Sequence, residues 1–215
     1  MDNRLDCLKR QLAVHIQQLG MFRDRTTSPS GMGFYLADPR RPPSPFYLDF
    51  RLLQSYPESA KHIAVMIFAE MIRGYPCNFL AGVPTAILPV VSSLSDRTSI
   101  PMITPRTDRK SHGTGTTIDG AWFKGTTALG FDDLITGAYS KLEAITILRD
   151  KGVQIKDIFV LVDREQGGAA ALATEGVTLH AAFTISELLE LYRDIGSMSL
   201  ELYQEIRTYL ATQST

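Results

Sequence analysis

The chain has 215 residues, of which 44% are hydrophobic and 21% charged, and its net charge is −1. This length supports a full domain with its own core, and the composition is ordinary for a soluble globular protein. A net charge near zero argues against nucleic-acid binding through bulk electrostatics.

Targeting and membrane signals are weak. The charged segment 1–10 lacks the apolar core of a secretory signal. The longest apolar stretch, residues 62–72, is interrupted by Glu70 and is too short to span a bilayer. The two cysteines, Cys7 and Cys77, form no metal-type pair or disulfide scaffold. We therefore expect a cytoplasmic protein that binds neither membrane nor nucleic acid.

Hydrophobic periodicity predicts helices that alternate with short strands. The expected helices cover residues 4–19, 57–74, 85–93, 139–151, 169–175, 186–194 and 198–212, and the expected strands cover 46–50, 79–83, 101–104, 126–131, 157–162 and 177–182. Ser186 is the expected N-cap of its helix. This alternation predicts an α/β fold whose mainly parallel sheet is covered by helices on both faces. We expect an N-terminal helix and hood (1–55), an α/β core (56–195) and a C-terminal helix (196–215).

Two carboxylates, Asp132 and Asp133, end an apolar run and precede a short loop, residues 136–140, that leads into a helix. Ligands of open α/β sheets bind beyond the carboxyl ends of the strands. There the acids can hold ribose hydroxyls or Mg²⁺; the alternative is a solvated turn that caps the helix. The hydroxyls of Thr136 and Ser140, with the loop backbone, suit a phosphate at the helix N-terminus. Together these features predict a sugar-phosphate site.

The long polar loop, residues 106–120, concentrates the cations Arg106, Arg109 and Lys110 with His112. Such a loop is either functional or disordered. Its cations can close over a diphosphate and stabilise departing negative charge. The alternative is a solvated surface loop.

Two further features follow predicted strands. Arg164 is a permanently charged donor suited to a carboxylate, an imide or a phosphate, although an ion pair with Asp163 or Glu165 is an alternative. The turn 82–85, Gly-Val-Pro-Thr, exposes backbone groups that can approach a diphosphate.

These four features, in this order, resemble the orotate phosphoribosyltransferases, and especially the orotate phosphoribosyltransferase domain of bifunctional UMP synthases. The resemblance covers about residues 34–194 and is strongest over residues 159–192, which begin with FVLVDREQGG. It implies a type I phosphoribosyltransferase-like fold, in which helices flank a mainly parallel sheet that carries a small N-terminal hood.

The resemblance also implies roles for the matching residues. Lys110, Arg106 and His112 would stabilise the departing diphosphate, and with Asp133 they form the implied catalytic set. Arg164 would contact orotate, and residues 44–47 would pack on the base. The implied substrate-binding residues are Asp132, Asp133, Thr136, Gly137, Ala138, Tyr139, Ser140, Arg164, Tyr47, Val83 and Thr85. No metal held by the protein itself is implied, because Mg²⁺ is expected to be bound with phosphoribosyl diphosphate. Members of the family are dimers, so a homodimer is implied.

The chain departs from the family pattern at several positions. Thr107 stands where a lysine is usual, residues 36–39 replace Leu-Lys-Ser-Gly, and Ala138 and Tyr139 replace a glycine and a small residue. The leading hypothesis is an orotate phosphoribosyltransferase that makes orotidine 5′-monophosphate in pyrimidine biosynthesis. The departures keep two alternatives open: a non-catalytic relative that binds a nucleotide or phosphoribosyl diphosphate, and a phosphoribosyltransferase for another base.

Overall fold

The computed structural model describes residues 4–29, 31, 33–34, 43–106 and 117–213. Its helices are α1 (Arg4–Gln18), α2 (Ala60–Met71), α3 (Leu88–Thr98), α4 (Tyr139–Asp150), α5 (Gly168–Thr174), α6 (Ile185–Asp194) and α7 (Leu200–Gln213). Its strands are β1 (Phe22–Asp24), β2 (Phe46–Leu48), β3 (Phe79–Gly82), β4 (Met102–Pro105), β5 (Ile118–Asp119), β6 (Thr127–Ile135), β7 (Gln154–Asp163) and β8 (Thr178–Thr184). Short 3₁₀ helices cover Arg25–Thr27 and Phe50–Ser55. Among these residues, no helix combines the length and apolar character needed to cross a membrane.

The central sheet has the strand order β5-β4-β3-β6-β7-β8, and only β5 runs antiparallel to its neighbour. The chain moves outward from β3 to β4 and then returns to the other side of β3 with β6. This reversal puts a topological switch point between β3 and β6, which is where α/β sheets of this kind bind ligands. Gly82 pairs with Phe131 there, so the segments that follow both residues lie side by side. The predicted α/β fold with a mainly parallel sheet is confirmed.

Apolar clusters on the two faces of the sheet form the core. On one face, the Phe68 ring of α2 meets the Phe131 ring edge-on at 5.2 Å, and α1, α3, α6 and α7 join the same cluster. On the other face, Ile145 and Leu148 of α4 pack with Leu172 of α5. Burial of these side chains supplies the main drive to fold. Because both faces are covered, the carboxyl edge of the sheet is where polar groups can converge.

The hood is built on β1 and β2, which pair antiparallel and place Phe22 opposite Leu48. Phe22 stacks on Phe46 at 5.9 Å and meets Tyr192 of α6 edge-on at 5.4 Å. The hood thus shares one apolar cluster with the core. The division of the chain at residues 55 and 195 stays a prediction.

Several local expectations were wrong. Strand β6 extends to Ile135, because its backbone keeps pairing with β7, so Asp132 and Asp133 lie within the strand and not after it. Helix α6 is capped by Thr184, whose side chain accepts from Glu187 N at 3.1 Å, while Ser186 lies inside the helix. The Thr-x-x-Glu sequence is a capping box, which outweighs a lone serine.

Candidate active site

A cavity of about 260 Å³ opens at the switch point. Its walls come from the hood, from the turn after β3, from the end of β6 and from the start of α4. The lining residues are Tyr47, Leu48, Asp49, Phe50, Arg51, Pro84, Thr85, Ala86, Asp132, Asp133, Ser140 and Lys141. Five of the predicted substrate-binding residues are therefore brought together here: Tyr47, Thr85, Asp132, Asp133 and Ser140.

The two acids have different surroundings. Asp132 is 5% exposed; its Oδ1 accepts from Asp133 N at 2.8 Å, and its Oδ2 lies 2.5 Å from Lys141 Nζ. Burial raises the pKa of Asp132 well above the usual carboxyl range, while the Lys141 ammonium opposes that rise. Asp133 is half-buried, and its Oδ1 accepts from Leu134 N at 2.9 Å. The Asp133 carboxylate adds to the rise in the pKa of Asp132, through its charge and a side-chain hydrogen bond, and it lines the cavity, where a ligand can reach it.

The loop between β6 and α4 has the form expected of a phosphate cradle. Helix α4 begins at Tyr139, so its free backbone N–H groups face the loop. Ala138 has a left-handed backbone, with φ of 66°. Tyr139 is 83% exposed, so its ring lies outside the cavity, while Ser140 lines it.

Close packing behind the cradle depends on Gly168, the first residue of α5. A Cβ at this position would collide with the carbonyl oxygen of Thr136 and with the side chain of Ile135. Glycine therefore allows α5 to approach the cradle at Thr136.

Arg164 follows β7 and is 2% exposed. Its Nη2 donates to Ser44 Oγ at 3.1 Å, and its guanidinium carbon lies 4.3 Å from the centre of the Phe46 ring. Burial lowers the pKa of Arg164 to about 10, so the side chain remains charged at neutral pH. Among the described residues, Arg164 Nε has no hydrogen-bond partner. The alternative of an ion pair with Asp163 or Glu165 is not what forms, because the guanidinium turns to Ser44 and Phe46.

A cluster in the hood completes one wall of the cavity. Arg51 donates to both carboxylate oxygens of Asp49, at 2.7 and 3.0 Å, and to the Tyr47 hydroxyl at 3.4 Å. Hydrogen bonding to Asp49 is the main cause that raises the pKa of Arg51, and the charge of Asp133 adds to it. Arg51 therefore puts a cation on the side of the cavity that Asp133 shares.

Two more of the predicted residues, Val83 and Arg106, are described by the structure but do not line the cavity. Val83 N donates to Phe131 O at 2.9 Å, and the turn that follows brings Thr85 to the cavity. Arg106 directly follows β4 and forms a surface pair with Asp119, at 3.4 Å. The predicted residues Lys110 and His112 lie outside the described residues, as do Arg109, Thr107 and residues 36–39.

A second cavity, of about 520 Å³, lies at the opposite edge of the sheet, where β6 and β7 begin. It is lined by cations, Lys124, Arg149 and Lys156, and by backbone of the neighbouring turns. Arg149 already donates to the carbonyl oxygens of Ile155 and Glu175, at 3.2 and 2.9 Å. The larger cavity therefore lacks the acids and the helix start that mark the smaller one.

Sequence reasoning missed Lys141, Arg51 and Asp49. A signal for Lys141 exists, because it shares the buried stripe of α4 with Ala144, Ile145 and Leu148 at helical spacing. A lysine on such a stripe must face the sheet, where only a carboxylate can balance it.

Known proteins are similar to this chain over most of its length. The uridine 5′-monophosphate synthase of Bos taurus is 31% identical over 169 residues, which are 78% of this chain and 35% of that protein. The orotate phosphoribosyltransferase of Pyrobaculum aerophilum is 34% identical over 170 residues, 78% of this chain and 86% of that protein. The crystal structure of orotate phosphoribosyltransferase from Aeropyrum pernix superposes with a TM-score of 0.72 at 29% identity, over 87% of this chain and 99% of that one.

This chain belongs to the orotate phosphoribosyltransferase family. No family model matches it. The chain spans about a third of the length of the bifunctional relatives it matches, at 35% of the Bos taurus protein and 33% of a PyrF/PyrE enzyme from Nostoc.

Proposed function

We propose that the chain is an orotate phosphoribosyltransferase, which converts phosphoribosyl diphosphate and orotate into orotidine 5′-monophosphate and diphosphate. In this reaction a bond forms between a ring nitrogen of orotate and the anomeric carbon. The bond from that carbon to the diphosphate oxygen breaks, the diphosphate leaves with the electron pair, and the ring nitrogen loses its proton. The observation that carries the proposal is the cavity at the switch point, where two acids, a helix start and the hood meet.

The sugar phosphate is the part of the substrate that the cavity fits best. Asp133 has a carboxylate oxygen available for ribose hydroxyls, and the start of α4 offers backbone donors and the Ser140 hydroxyl to the 5-phosphate. Tyr139 supports this role, because its exposed ring leaves the cradle open. These groups would hold the ribose so that its anomeric carbon faces the hood.

The base would be recognised from the hood side. Arg164 is a buried cation that is fixed by Ser44 and Phe46, and its Nε has no hydrogen-bond partner among the described residues. A guanidinium in this state suits the carboxylate of orotate, which a neutral base lacks. Tyr47 lines the cavity and would pack against the base, whereas Arg164 is buried against Ser44 and Phe46 and is not among the lining residues.

Departure of diphosphate requires positive charge. We propose that the polar segment between β4 and β5 supplies this charge, because it concentrates cations. The residues that would act are Lys110, His112 and Arg106. Electrostatic stabilisation of developing charge is commonly the largest catalytic contribution.

We infer that Mg²⁺ reaches the site bound to phosphoribosyl diphosphate. The described residues include no group of three or more potential metal ligands. Mg²⁺ commonly keeps several waters and binds through substrate phosphates with one or two carboxylates. The residues fit such an ion, with the carboxylate of Asp133 available to it. Bound there, the ion would neutralise negative charge on the leaving diphosphate.

We also propose a homodimer in the cytoplasm. The segment that carries Lys110 lies in sequence between β4 and β5, and β5 is an edge strand of the sheet; in the family that the chain resembles, this segment reaches into the site of a second copy. Both cysteines are free thiols, which fits a reducing compartment. Sedimentation equilibrium that gives the mass of one chain would contradict the dimer.

The test of the function is a direct assay. Protein, Mg²⁺, phosphoribosyl diphosphate and orotate are mixed, and the loss of orotate absorbance is followed. Turnover is expected, and Lys110→Ala and Asp133→Asn are expected to abolish it. Matched controls are Lys151→Ala and Asp150→Asn, both at exposed positions near the end of α4. Turnover only with a different base would identify a phosphoribosyltransferase for that base.

A second candidate is a non-catalytic relative that binds phosphoribosyl diphosphate or a nucleotide. It is favoured by the ion pair between Asp132 and Lys141, which occupies one of the two acids, and by the left-handed Ala138 in the cradle. In that case the assay gives no turnover, while phosphoribosyl diphosphate still raises the melting temperature.

A further inference from the structure

Lys141 is a buried lysine inside the candidate site. It is 6% exposed, and its ammonium lies 2.5 Å from Asp132 Oδ2 and 3.4 Å from Ser140 Oγ. A charged group that is almost fully buried is strongly destabilising unless it is paired. Lys141 and Asp132 therefore depend on each other in the folded protein.

The partners of Asp132 leave it little capacity for a ligand. One carboxylate oxygen accepts from Asp133 N at 2.8 Å, and the other faces Lys141. Removing Asp132 from this pair, so that it could bind a sugar, would leave Lys141 buried without a counter-ion.

Asp133, unlike Asp132, can still bind a ligand. Its Oδ1 accepts from the backbone N–H of Leu134, it pairs with no cation at close range as Asp132 does, and the carboxylate lines the cavity beside Asp132. Its carboxylate can accept from a ribose hydroxyl while Asp132 stays paired with Lys141.

The ion pair also spans the cradle. Asp132 lies near the end of β6 and Lys141 in the first turn of α4, so the pair fixes both ends of the loop 136–140. The loop contains Ala138 in a left-handed conformation, which is unfavourable for a residue with a Cβ. A fixed anchor at each end offsets the tendency of this loop to relax.

We propose that the two neighbouring acids have separate roles, with Lys141 as the positioning residue that holds Asp132 as its counter-ion, and Asp133 as the specificity-determining carboxylate for the ribose hydroxyls. This division rests on the proposed function, because it concerns the same phosphoribosyl site. In this division of roles, Asp132 helps to hold the loop 136–140 in place and does not bind the ribose.

The test uses ribose 5-phosphate and 2-deoxyribose 5-phosphate as probes, which need neither orotate nor turnover. Binding is measured by titration calorimetry, and the unfolding midpoint is measured without ligand. The variants are Asp133→Asn, Lys141→Met and the double variant Asp132→Asn/Lys141→Met. Lys151→Met is the matched control, since it is an exposed lysine at the other end of the same helix.

The wild-type protein is expected to prefer ribose 5-phosphate over the deoxy sugar by about tenfold, as one charge-assisted hydrogen bond allows. Asp133→Asn is expected to lose this preference with an unchanged midpoint. Lys141→Met is expected to lower the midpoint by about 10 °C, because Asp132 remains buried and unpaired. The double variant removes both charges, so it should recover most of the midpoint and keep the preference for ribose.

Loss of the preference in the double variant, with Asp133 intact, would overturn the proposal, since Asp132 would then be the ribose ligand. Retention of the preference in Asp133→Asn would overturn it as well. Failure of orotate turnover, with the expected binding pattern, would contradict the proposed function and leave this division of roles supported. Absence of ribose 5-phosphate binding in the wild-type protein would overturn both.

Discussion

The guanidinium of Arg164 lies over the ring of Phe46, with 4.3 Å between the guanidinium carbon and the ring centre. Arg164 directly follows the core strand β7, whereas Phe46 belongs to the hood, more than a hundred residues earlier. Ser44 adds a hydrogen bond of 3.1 Å to the same guanidinium. The cation that we expect to recognise the base is therefore oriented by the hood, so base recognition depends on hood packing.

Replacement of Arg164 by lysine tests this arrangement. Lysine keeps the charge but loses the planar fork that contacts Ser44 and Phe46 together. We expect Arg164→Lys to raise KM for orotate by about tenfold or more. Affinity for phosphoribosyl diphosphate, measured by calorimetry, should stay within about twofold, because Arg164 lies on the base side.

The matched control for Arg164 is Arg193→Lys. Arg193 also lies over an aromatic ring, that of Tyr203 at 5.1 Å, but on an exposed surface. It should leave both constants unchanged. An unaltered KM for orotate in Arg164→Lys would refute the role of Arg164 in base binding.

Ala138→Gly should stabilise the protein. Ala138 holds a left-handed φ of 66°, which glycine adopts without the Cβ clash. The expected gain in the free energy of unfolding is about 1 kcal/mol, which is a rise of about 2–4 °C in melting temperature for a chain of this size. Thermal and urea unfolding would measure it.

Ala170→Gly provides the control of opposite sign, because Ala170 is exposed within α5 and glycine weakens helices. It should lower the melting temperature. If Ala138→Gly lowers it by a similar amount, backbone strain at residue 138 is not present in the folded protein.

Gly168→Ala should damage the cradle. The added Cβ would collide with Thr136 O, so either α5 or the cradle must move. We expect a loss of about 1–3 kcal/mol in the free energy of unfolding and a higher KM for phosphoribosyl diphosphate. Gly137→Ala is the comparison for stability, since its added Cβ meets no described atom within 4 Å. Equal unfolding free energies for the two variants would rule out the close approach.

Asp163 should make stability depend on pH. Burial raises the pKa of its carboxyl, and the charge of Glu165 adds to that rise, against the hydrogen bond from Glu165 N. The folded protein thus keeps the proton to higher pH than the unfolded chain does. This contribution to stability is complete below the ordinary carboxyl pKa of about 3.9 and is lost as pH rises through the higher folded value.

Asp163→Asn keeps an acceptor for Glu165 N but cannot ionise. Relative to the wild type, it should gain free energy of unfolding as the pH is raised from about 3.5 to about 6. Urea denaturation at both pH values measures this, with the exposed Asp150→Asn as the control. Parallel pH profiles for Asp163→Asn and the wild type would contradict the expectation.

Much of the fold follows from local pattern. The alternation of helices and strands is readable because each buried face repeats at the period of its element. The predicted strand that precedes Asp132 and Asp133 stopped four residues before the observed end of β6. The two acids interrupt the apolar pattern there, although the backbone continues to pair with β7. The two-residue strand β5 is too short for any period to mark it.

The candidate site was only partly predictable. The acids and the cradle are contiguous in sequence, so local reasoning finds them. The contact between Arg164 and Ser44 joins residues 120 positions apart, and the pairing of Lys141 with Asp132 depends on which face of α4 meets the sheet. Such contacts are set by tertiary packing, which spacing along the chain does not encode.

The short pairing of β4 with β5 has a practical consequence for protein engineering. Arg106 N donates to Thr117 O at 2.9 Å, directly after the last residue of β4 and directly before the first residue of β5. This hydrogen bond fixes both anchors of the ten-residue segment between them, so closing a longer or shorter insert there costs little extra entropy. The segment from another family member can therefore be transplanted between Arg106 and Thr117 as one cassette, and chimeras of this kind would separate its chemistry from that of the sheet.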